Sequence, residues 1–152
     1  RSDHLDLVEL NDAFVARLRE RFEREPVFQS VADRAQVHHC PVEDLPQQTR
    51  YDLIVSGLPL NNFAVADVER ILETLTTLLA PGGTLSFFEY IAVRKARALV
   101  SGRRERARLQ GIGRAMQSVL VGREIRRDAV WLNVPPAWVH HVRKPLDGHS
   151  AS

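Results

Sequence analysis

Hydrophobic residues over the first 90 positions follow two different periods. Short apolar runs at 5–10, 36–40, 51–55 and 84–90 have the length of strands, and the run at 51–55 is apolar on both faces. Between these runs, apolar residues recur at spacings of three and four, which predicts amphipathic helices after the first and third strands. Strands that alternate with helices predict an α/β fold, with a mainly parallel sheet and helices on both faces.

Residues that start and stop regular structure mark the boundaries of these elements. Asn11 or Asp12 provides the N-cap oxygen of the first helix, and Pro26 ends that helix. Pro41 breaks the second strand. The Ala-Pro-Gly-Gly run at 80–83 is expected to stop the second helix before the fourth strand begins.

Beyond position 90 the pattern changes to a basic helical stretch and two closing strands. The helical stretch covers 91–121, with a bend near 101–102, and the strands cover 123–134 and 137–143. We therefore predict a single domain over 1–144, in which 91–121 is a basic helical insertion. Residues 145–152 are expected to form a flexible tail.

Charge is distributed unevenly along the chain. Residues 1–90 carry 8 Lys/Arg and 15 Asp/Glu, whereas residues 91–152 carry 13 Lys/Arg and 4 Asp/Glu. This split predicts an acidic half joined to a basic half that meets an anion such as nucleic acid or an anionic lipid. No apolar run approaches the roughly 18 residues of a membrane span, so no transmembrane segment is predicted.

Acidic residues follow the first two predicted strands. Glu9 ends the first strand, and the pair Glu43-Asp44 comes just after the second. In open parallel sheets ligands bind at this edge, where a carboxylate accepts from ribose hydroxyls or an exocyclic amine. Each acid also has a plainer interpretation: Glu9 as a favourable charge at a helix start, and Glu43-Asp44 as a solvated loop.

Three segments in this order resemble the class I S-adenosylmethionine-dependent methyltransferases. They are "VELNDAFVARLRERF", "YDLIVSGLPL" and "LLAPGGTLSFFEY", which are similar to the family's acidic second strand, fourth-strand motif and Pro-Gly-Gly turn into the fifth strand. The segments "SGLPLNNF", "FFEY" and "VWLNVPPAWVHHVRK" resemble more closely the bacterial phospholipid N-methyltransferases, which methylate phosphatidylethanolamine. The resemblance implies a Rossmann-like methyltransferase fold.

The resemblance implies S-adenosylmethionine as cofactor and assigns residues to it. The ribose of the cofactor would contact Glu9 and Leu10, and its adenine would contact Val42 and Glu43. The methyl donor would lie near Ser56, Gly57 and Leu58. Relatives commonly carry an Asp where this chain has Pro41, so the adenine contact falls to the Val42 amide and Glu43. The family's first strand and Gly-rich loop would precede Leu5, where the sequence has only four residues. An N-terminally truncated domain is therefore expected.

The loop after the third strand is the expected site of the acceptor amine. Pro59 would fix the bend, Asn61 or Asn62 would accept from the amine, and Phe63 would wall the site. Tyr90, at the end of the next strand, would face the same cleft, where an aromatic ring also attracts a methylated cation. Turn formation by the Asn pair, and core packing by Tyr90, are the alternative interpretations.

The basic stretch is the expected contact with an anionic surface. In a helix Arg97, Arg104 and Arg108 share a face, which suits an anionic lipid headgroup layer. We therefore expect a cytoplasmic protein, peripheral at the inner membrane face, with a phospholipid substrate. Methylation of rRNA or another nucleic acid is an alternative, although the stretch lacks the interleaved aromatics of base stacking. A catalytically inactive remnant that binds a membrane or partner is a third.

The two His-His pairs, at 38–39 and 140–141, raise the question of a metal site. Adjacent residues of a strand point to opposite faces, so neither pair chelates as a unit. We predict no metal.

Overall fold

A computed structural model describes residues 3–90, 102–130 and 137–146. The chain divides into two compact units, Arg1–Pro46 and Gln47–Ser152. The single domain over 1–144 stays a prediction. The bend near 101 and most of the expected tail lie outside the described residues.

The first unit contains a two-stranded parallel sheet and one long helix. Strand β1 covers Leu5–Glu9 and pairs in register with strand β2, Ala35–His39. Helix α1, Asp12–Arg24, follows β1, and a single helical turn, α2, covers Pro26–Gln29. The predicted N-cap is Asn11, whose Oδ1 accepts from the amides of Ala13 and Phe14 at 2.9 and 3.3 Å.

The second unit is a mixed four-stranded sheet with two helices. Its strands run in the spatial order β3-β4-β6-β5, with β3–β4 parallel and the β4–β6 and β5–β6 pairs antiparallel. The α/β prediction is confirmed, and the closing strands account for the antiparallel share of the sheet. The elements are β3 Tyr51–Ser56, α3 Val65–Leu78, β4 Leu79–Tyr90, α4 Arg103–Leu120, β5 Glu124–Val130 and β6 Ala137–Arg143.

Helices α3 and α4 form the core of this unit together with the sheet. Val68, Leu85 and Ile112, one from each element, have no measurable exposure. The helices approach closely at Gly111, where an added Cβ would lie 2.7 Å from Val65 Cγ2. Because van der Waals contact between carbons begins near about 3.5 Å, only a glycine fits at this position without displacement.

The Ala-Pro-Gly-Gly run differs from the expectation. Helix α3 already ends at Leu78, and 80–83 belongs to strand β4 rather than to a turn before it. The reason is that this run bonds to the end of β6: Gly82 N donates to Lys144 O at 3.0 Å, and Lys144 N donates to Gly83 O at 2.9 Å. A positive φ of 76° at Gly82 gives the backbone the necessary bend.

Strand β3 carries exposed apolar side chains. Among the described strands it lies at the outside of the four-stranded sheet, and Leu53 and Val55 are 62% and 75% exposed. No helix in the described ranges combines the length and apolar character needed to cross a bilayer.

Candidate active site

The carboxyl end of the two-stranded sheet gathers the residues predicted to hold the cofactor's nucleoside. Glu9 ends β1, and Glu9 Oε1 accepts from the amides of Leu10 and Asn11, both at 2.8 Å. The carboxylate is therefore fixed by its own backbone. Its second oxygen, Oε2, makes no hydrogen bond with the described residues.

The turn after β2 lies at the same end of this sheet, because the strands are parallel and Glu9 pairs with His39. Pro41 leads into a single 3₁₀ turn, Val42–Asp44, in which Val42 and Glu43 are half-buried. Pro41 has the φ of −65° that its ring imposes and so begins the turn. The four predicted nucleoside-binding positions of this unit are thus brought to one sheet edge.

The segment Ser56–Phe63 leaves β3 as a folded loop. Ser56 is buried and its Oγ lies 3.5 Å from the Leu58 amide, and Gly57 is exposed. Pro59 precedes a 3₁₀ turn, Leu60–Asn62, closed by a bond from Asn62 N to Pro59 O at 2.9 Å. Pro59 therefore lies at the start of a turn, and its role in the acceptor site stays a prediction.

The two asparagines of the loop differ sharply in environment. Asn61 is 5% exposed, and its Oδ1 is buried with no hydrogen-bond partner in the described part of the chain. Asn62 is exposed to solvent. A buried amide oxygen without a partner costs about 1–3 kcal/mol, so a ligand that donates to it recovers that free energy. The turn is closed by backbone hydrogen bonds, so turn formation alone does not require a buried Asn61 side chain.

Arg108 on α4 holds the loop. Its Nη1 donates to the carbonyl oxygens of Asn61 at 3.1 Å and Phe63 at 2.6 Å. The guanidinium also makes a bidentate pair with Glu105: Nε donates to Oε2 at 2.9 Å, and Nη2 donates to Oε1 at 2.6 Å. The hydrogen bond with Glu105 raises the pKa of Arg108, which therefore stays cationic. Arg108 is only half-buried, but its donors are engaged within the protein.

A second cluster of charged groups lies on the face of the sheet beneath α4. His140 on β6 is 3% exposed and lies between two carboxylates. Its Nδ1 is 2.6 Å from Glu124 Oε1, and its Nε2 is 3.5 Å from Glu89 Oε2. The second distance is long for a hydrogen bond, and Nε2 has no hydrogen-bond partner among the described residues. Burial lowers the pKa of His140, but the two carboxylates raise it above its ordinary value overall.

This cluster lines a cavity of about 540 Å³. The ring of Phe87 stacks on that of His140 at 5.3 Å, and Arg127 lies over the indole of Trp138 at 4.7 Å. Helix α4 contributes the wall opposite the sheet, with Met116, Gln117 and Leu120 among its residues.

His141 points to the other face of the sheet, as strand alternation predicts. Its Nδ1 is 2.8 Å from Ser86 Oγ, and its Nε2 is 3.1 Å from Asp128 Oδ2. Within the described ranges, no three His, Cys, Asp or Glu side chains are arranged to hold a metal ion.

Three predicted site residues need separate mention. The backbone of Tyr90 pairs with Ala137 at the end of β4, but its side chain lies outside what the structure describes. Arg97 also lies outside the described residues. Arg104 is exposed on the first turn of α4.

Sequence reasoning missed the carboxylates around His140 and the tie between Arg108 and the loop. Both depend on contacts between distant segments, such as Arg108 with a loop 45 residues earlier. The available signals were the lone acid of the basic stretch, Glu105, three residues before Arg108, and the alternation along β6.

The sequence profile of a family described as "Methyltransferase domain" matches residues 1–83. The chain belongs to this family. Its membership confirms the predictions of a methyltransferase, with S-adenosylmethionine as cofactor, at the level of the class. No curated protein sequence matches the chain.

Solved structures show the same fold at low sequence identity. The N-methyltransferase NodS from Bradyrhizobium japonicum WM9 is 16% identical, with a TM-score of 0.66 over 93% of this chain and 74% of that chain. NodS in complex with S-adenosyl-L-homocysteine gives a TM-score of 0.67, covering 93% of this chain and 67% of that chain at 16% identity. A SAM-dependent methyltransferase from Methanosarcina mazei is 11% identical, with a TM-score of 0.66 over 93% and 82% of the two chains. The Rossmann-like methyltransferase fold is thereby confirmed.

Proposed function

We propose that this protein is an N-methyltransferase that acts on the amine of phosphatidylethanolamine at a membrane surface. The observation that carries the proposal concerns Asn61, in the loop that follows β3: its side-chain amide is buried, and Oδ1 has no hydrogen-bond partner among the described residues. An amine must be held by its N–H groups so that its lone pair points at the methyl carbon. A fixed amide oxygen performs this task without competing for the methyl group.

In each unit, the residues predicted to bind the cofactor have groups that suit it. S-adenosylmethionine, when bound, supplies an electrophilic methyl group. Glu9 Oε2 would accept a hydrogen bond from a ribose hydroxyl, because Oε1 already accepts from the Leu10 and Asn11 amides. The backbone of Val42 and the side chain of Glu43 would meet the adenine. Ser56, Gly57 and Leu58 would border the reacting centre, and the exposed Gly57 leaves room for close approach.

The loop would position the acceptor. Asn61 accepts an N–H of the amine, and Phe63 walls the site beside it. Arg108 keeps both residues in place through their carbonyl oxygens, which makes it a positioning residue rather than a lipid contact. We retain Tyr90 as a candidate for the opposite wall.

The exposed basic residues of α4 support a membrane surface as the place of reaction. Arg103, Arg104 and Arg114 are all exposed, and none of them has a carboxylate partner among the described residues. Exposed Arg side chains attract anionic headgroups, at about 1 kcal/mol each near the surface. Arg97 remains part of this proposed surface, and the inner membrane face is the proposed location.

Substitution of the loop asparagines tests the proposal. Methyl transfer is followed on mixed phosphatidylethanolamine–phosphatidylglycerol vesicles, with Asn61→Ala and Asn62→Ala compared at equal protein concentration. We expect Asn61→Ala to lower kcat/KM roughly 10- to 100-fold, the loss of one buried hydrogen bond in the transition state. Asn62→Ala should have a much smaller effect because its side chain is in solvent.

Two controls make the result specific. The thermal midpoint of Asn61→Ala should not fall, since Oδ1 has no hydrogen-bond partner among the described residues to lose. S-adenosylmethionine affinity by calorimetry should be unchanged, since Asn61 is assigned to the amine and not to the cofactor. If both variants kept nearly the wild-type turnover, the loop would be only a structural turn and the amine-binding role of Asn61 would be wrong. Methylation of RNA but not of lipid would favour the nucleic-acid alternative, and loss of cofactor binding in the wild type would favour an inactive remnant.

A further inference from the structure

N-methylation of an ammonium-forming substrate requires a proton acceptor, and no residue of the Ser56–Phe63 loop is a base. The amine nitrogen attacks the methyl carbon, and the bonding pair of the broken S–C bond stays on sulfur. The new ammonium carries a proton that must leave before the nitrogen can react again. At neutral pH a primary amine also begins as an ammonium, so a proton is lost before the first transfer too.

From the geometry we infer that Glu89 and His140 form the base that removes this proton, with Glu124 as the positioning residue behind them. The inference rests on the proposed N-methyl transfer. The N–H bond of the ammonium breaks, its electron pair stays on nitrogen, and the proton passes to Glu89 and then to Nε2 of His140. The imidazolium later releases it to water in the cavity.

The position of Glu89 supports this assignment. Ser56, where the loop begins, pairs with Phe87, so Glu89 lies two residues further along β4 at the end from which the loop leaves. Glu89 and Asn61 also border the same helix. Arg108 of α4 bonds the Asn61 carbonyl, and two turns later Met116 lines the cavity that Glu89 shares with His140.

The orientation of His140 supports its role. A proton on Nδ1 donated to Glu124 at 2.6 Å leaves the lone pair of the neutral ring on Nε2, the atom that faces Glu89. Glu124 thus selects the tautomer and stabilises the imidazolium without taking the proton itself, as the acid of a Ser-His-Asp triad does. Because Nε2 has no hydrogen-bond partner among the described residues, it can accept a proton without first giving up such a bond.

The charged groups around His140 come from two strands. Glu89 faces it from β4, Glu124 and Arg127 from β5, while α4 contributes Gly113, Met116, Gln117 and Leu120, none of which titrates. The contacts with both carboxylates raise the pKa of His140, which strengthens it as a proton acceptor. A cavity of about 540 Å³ holds several waters, which provides the exit.

The test compares His140→Gln with His141→Gln in pH–rate profiles. The neighbouring His141 also contacts a carboxylate but lies on the opposite face and lines no part of the cavity. We expect His140→Gln to lower kcat about 100-fold and to remove the acid limb of the profile, with KM nearly constant. His141→Gln should keep the wild-type profile. Added imidazole should restore part of the activity of His140→Ala.

A second measurement does not depend on turnover. Nitrogen-15 histidine NMR of the wild type should show His140 as the Nδ1–H tautomer above its titration, and Glu124→Gln should change this. A wild type that methylates amines while His140→Gln keeps its full rate and profile would overturn the relay and leave the proposed function intact. An Nε2–H tautomer would also overturn it. A wild type that methylates no amine would remove the proposed function itself.

Discussion

His140 links the stability of the second unit to pH. Its folded pKa lies above the ordinary value because contact with Glu89 and Glu124 outweighs the effect of burial. A raised pKa means that the folded protein binds this proton more tightly than the unfolded chain. The stabilisation is therefore fully present below the ordinary pKa of about 6.5 and is lost as pH rises through the folded value.

Urea unfolding at pH 5.5 and pH 8.5 measures this link, at roughly one unit below and two above the ordinary histidine pKa. We expect the free energy of unfolding lost in His140→Gln to be larger at the lower pH. Glu124→Gln, which removes the nearer carboxylate, should reduce the pH dependence. An equal loss at both pH values would contradict the raised pKa.

At the same scale, individual site residues were only partly foreseeable. The loop sequence SGLPLNNF identifies Pro59, Asn61 and Asn62 as candidates, because its Gly, Pro and paired Asn differ from the flanking apolar runs. The N-cap role of Asn11 follows from its residue type and its position before the helix. Which asparagine is buried depends on α4, which packs over the loop from more than forty residues away. The same holds for His140, whose two carboxylates come from separate strands.

At the scale of elements, the close approach of α3 and α4 depends on one glycine. Gly111 leaves space for Val65, whose β-branched side chain has little freedom to move away. Val65 is the first residue of α3, two positions after the loop that Arg108 holds. A wider separation of the helices would therefore loosen the Arg108 bonds as well.

Gly111→Ala should destabilise the protein by roughly 1–3 kcal/mol, the usual cost of overpacking, although alanine favours the helix. Gly102→Ala is the matched control, because a Cβ at that position meets no described residue within 4 Å. Chemical denaturation of the two variants measures the difference. Equal stability would mean that the helices separate at no cost.

The order and type of most elements could be predicted from periodicity and helix-stop residues. The end of α3 could not, since the Ala-Pro-Gly-Gly run has the composition of a turn. Its hydrogen bonds instead go to Lys144, more than sixty residues later, and these bonds draw it into β4. The composition of residues 80–83 does not indicate a hydrogen-bond partner so far along the chain.

At the scale of the whole molecule, charge separates an acidic first part from a basic second part. The excess of Lys and Arg after residue 90 includes the exposed Arg103, Arg104 and Arg114 of α4. Arg108, which looked equivalent in sequence, is instead engaged with Glu105 and the loop. The proposed membrane-contacting surface therefore contains fewer exposed arginines than the count of basic residues suggests.

Vesicle flotation measures this surface. Replacement of Arg103 and Arg104 by Gln should weaken binding to phosphatidylglycerol-containing vesicles roughly 10- to 30-fold at low salt, from about 1 kcal/mol per charge. The difference should shrink as salt rises. Arg17→Gln removes an exposed charge from α1 and serves as control. Vesicle binding that does not change with salt would exclude an electrostatic role for α4. An equal loss of vesicle binding in Arg17→Gln would exclude it as well.

The exposed side chains of Leu53 and Val55 have a consequence for handling the purified protein. Both are apolar and lie on a strand at the outside of the described four-stranded sheet. Association through such side chains depends on protein concentration rather than on unfolding. Dilute storage, or a mild amphiphile that covers these side chains, should therefore preserve the sample.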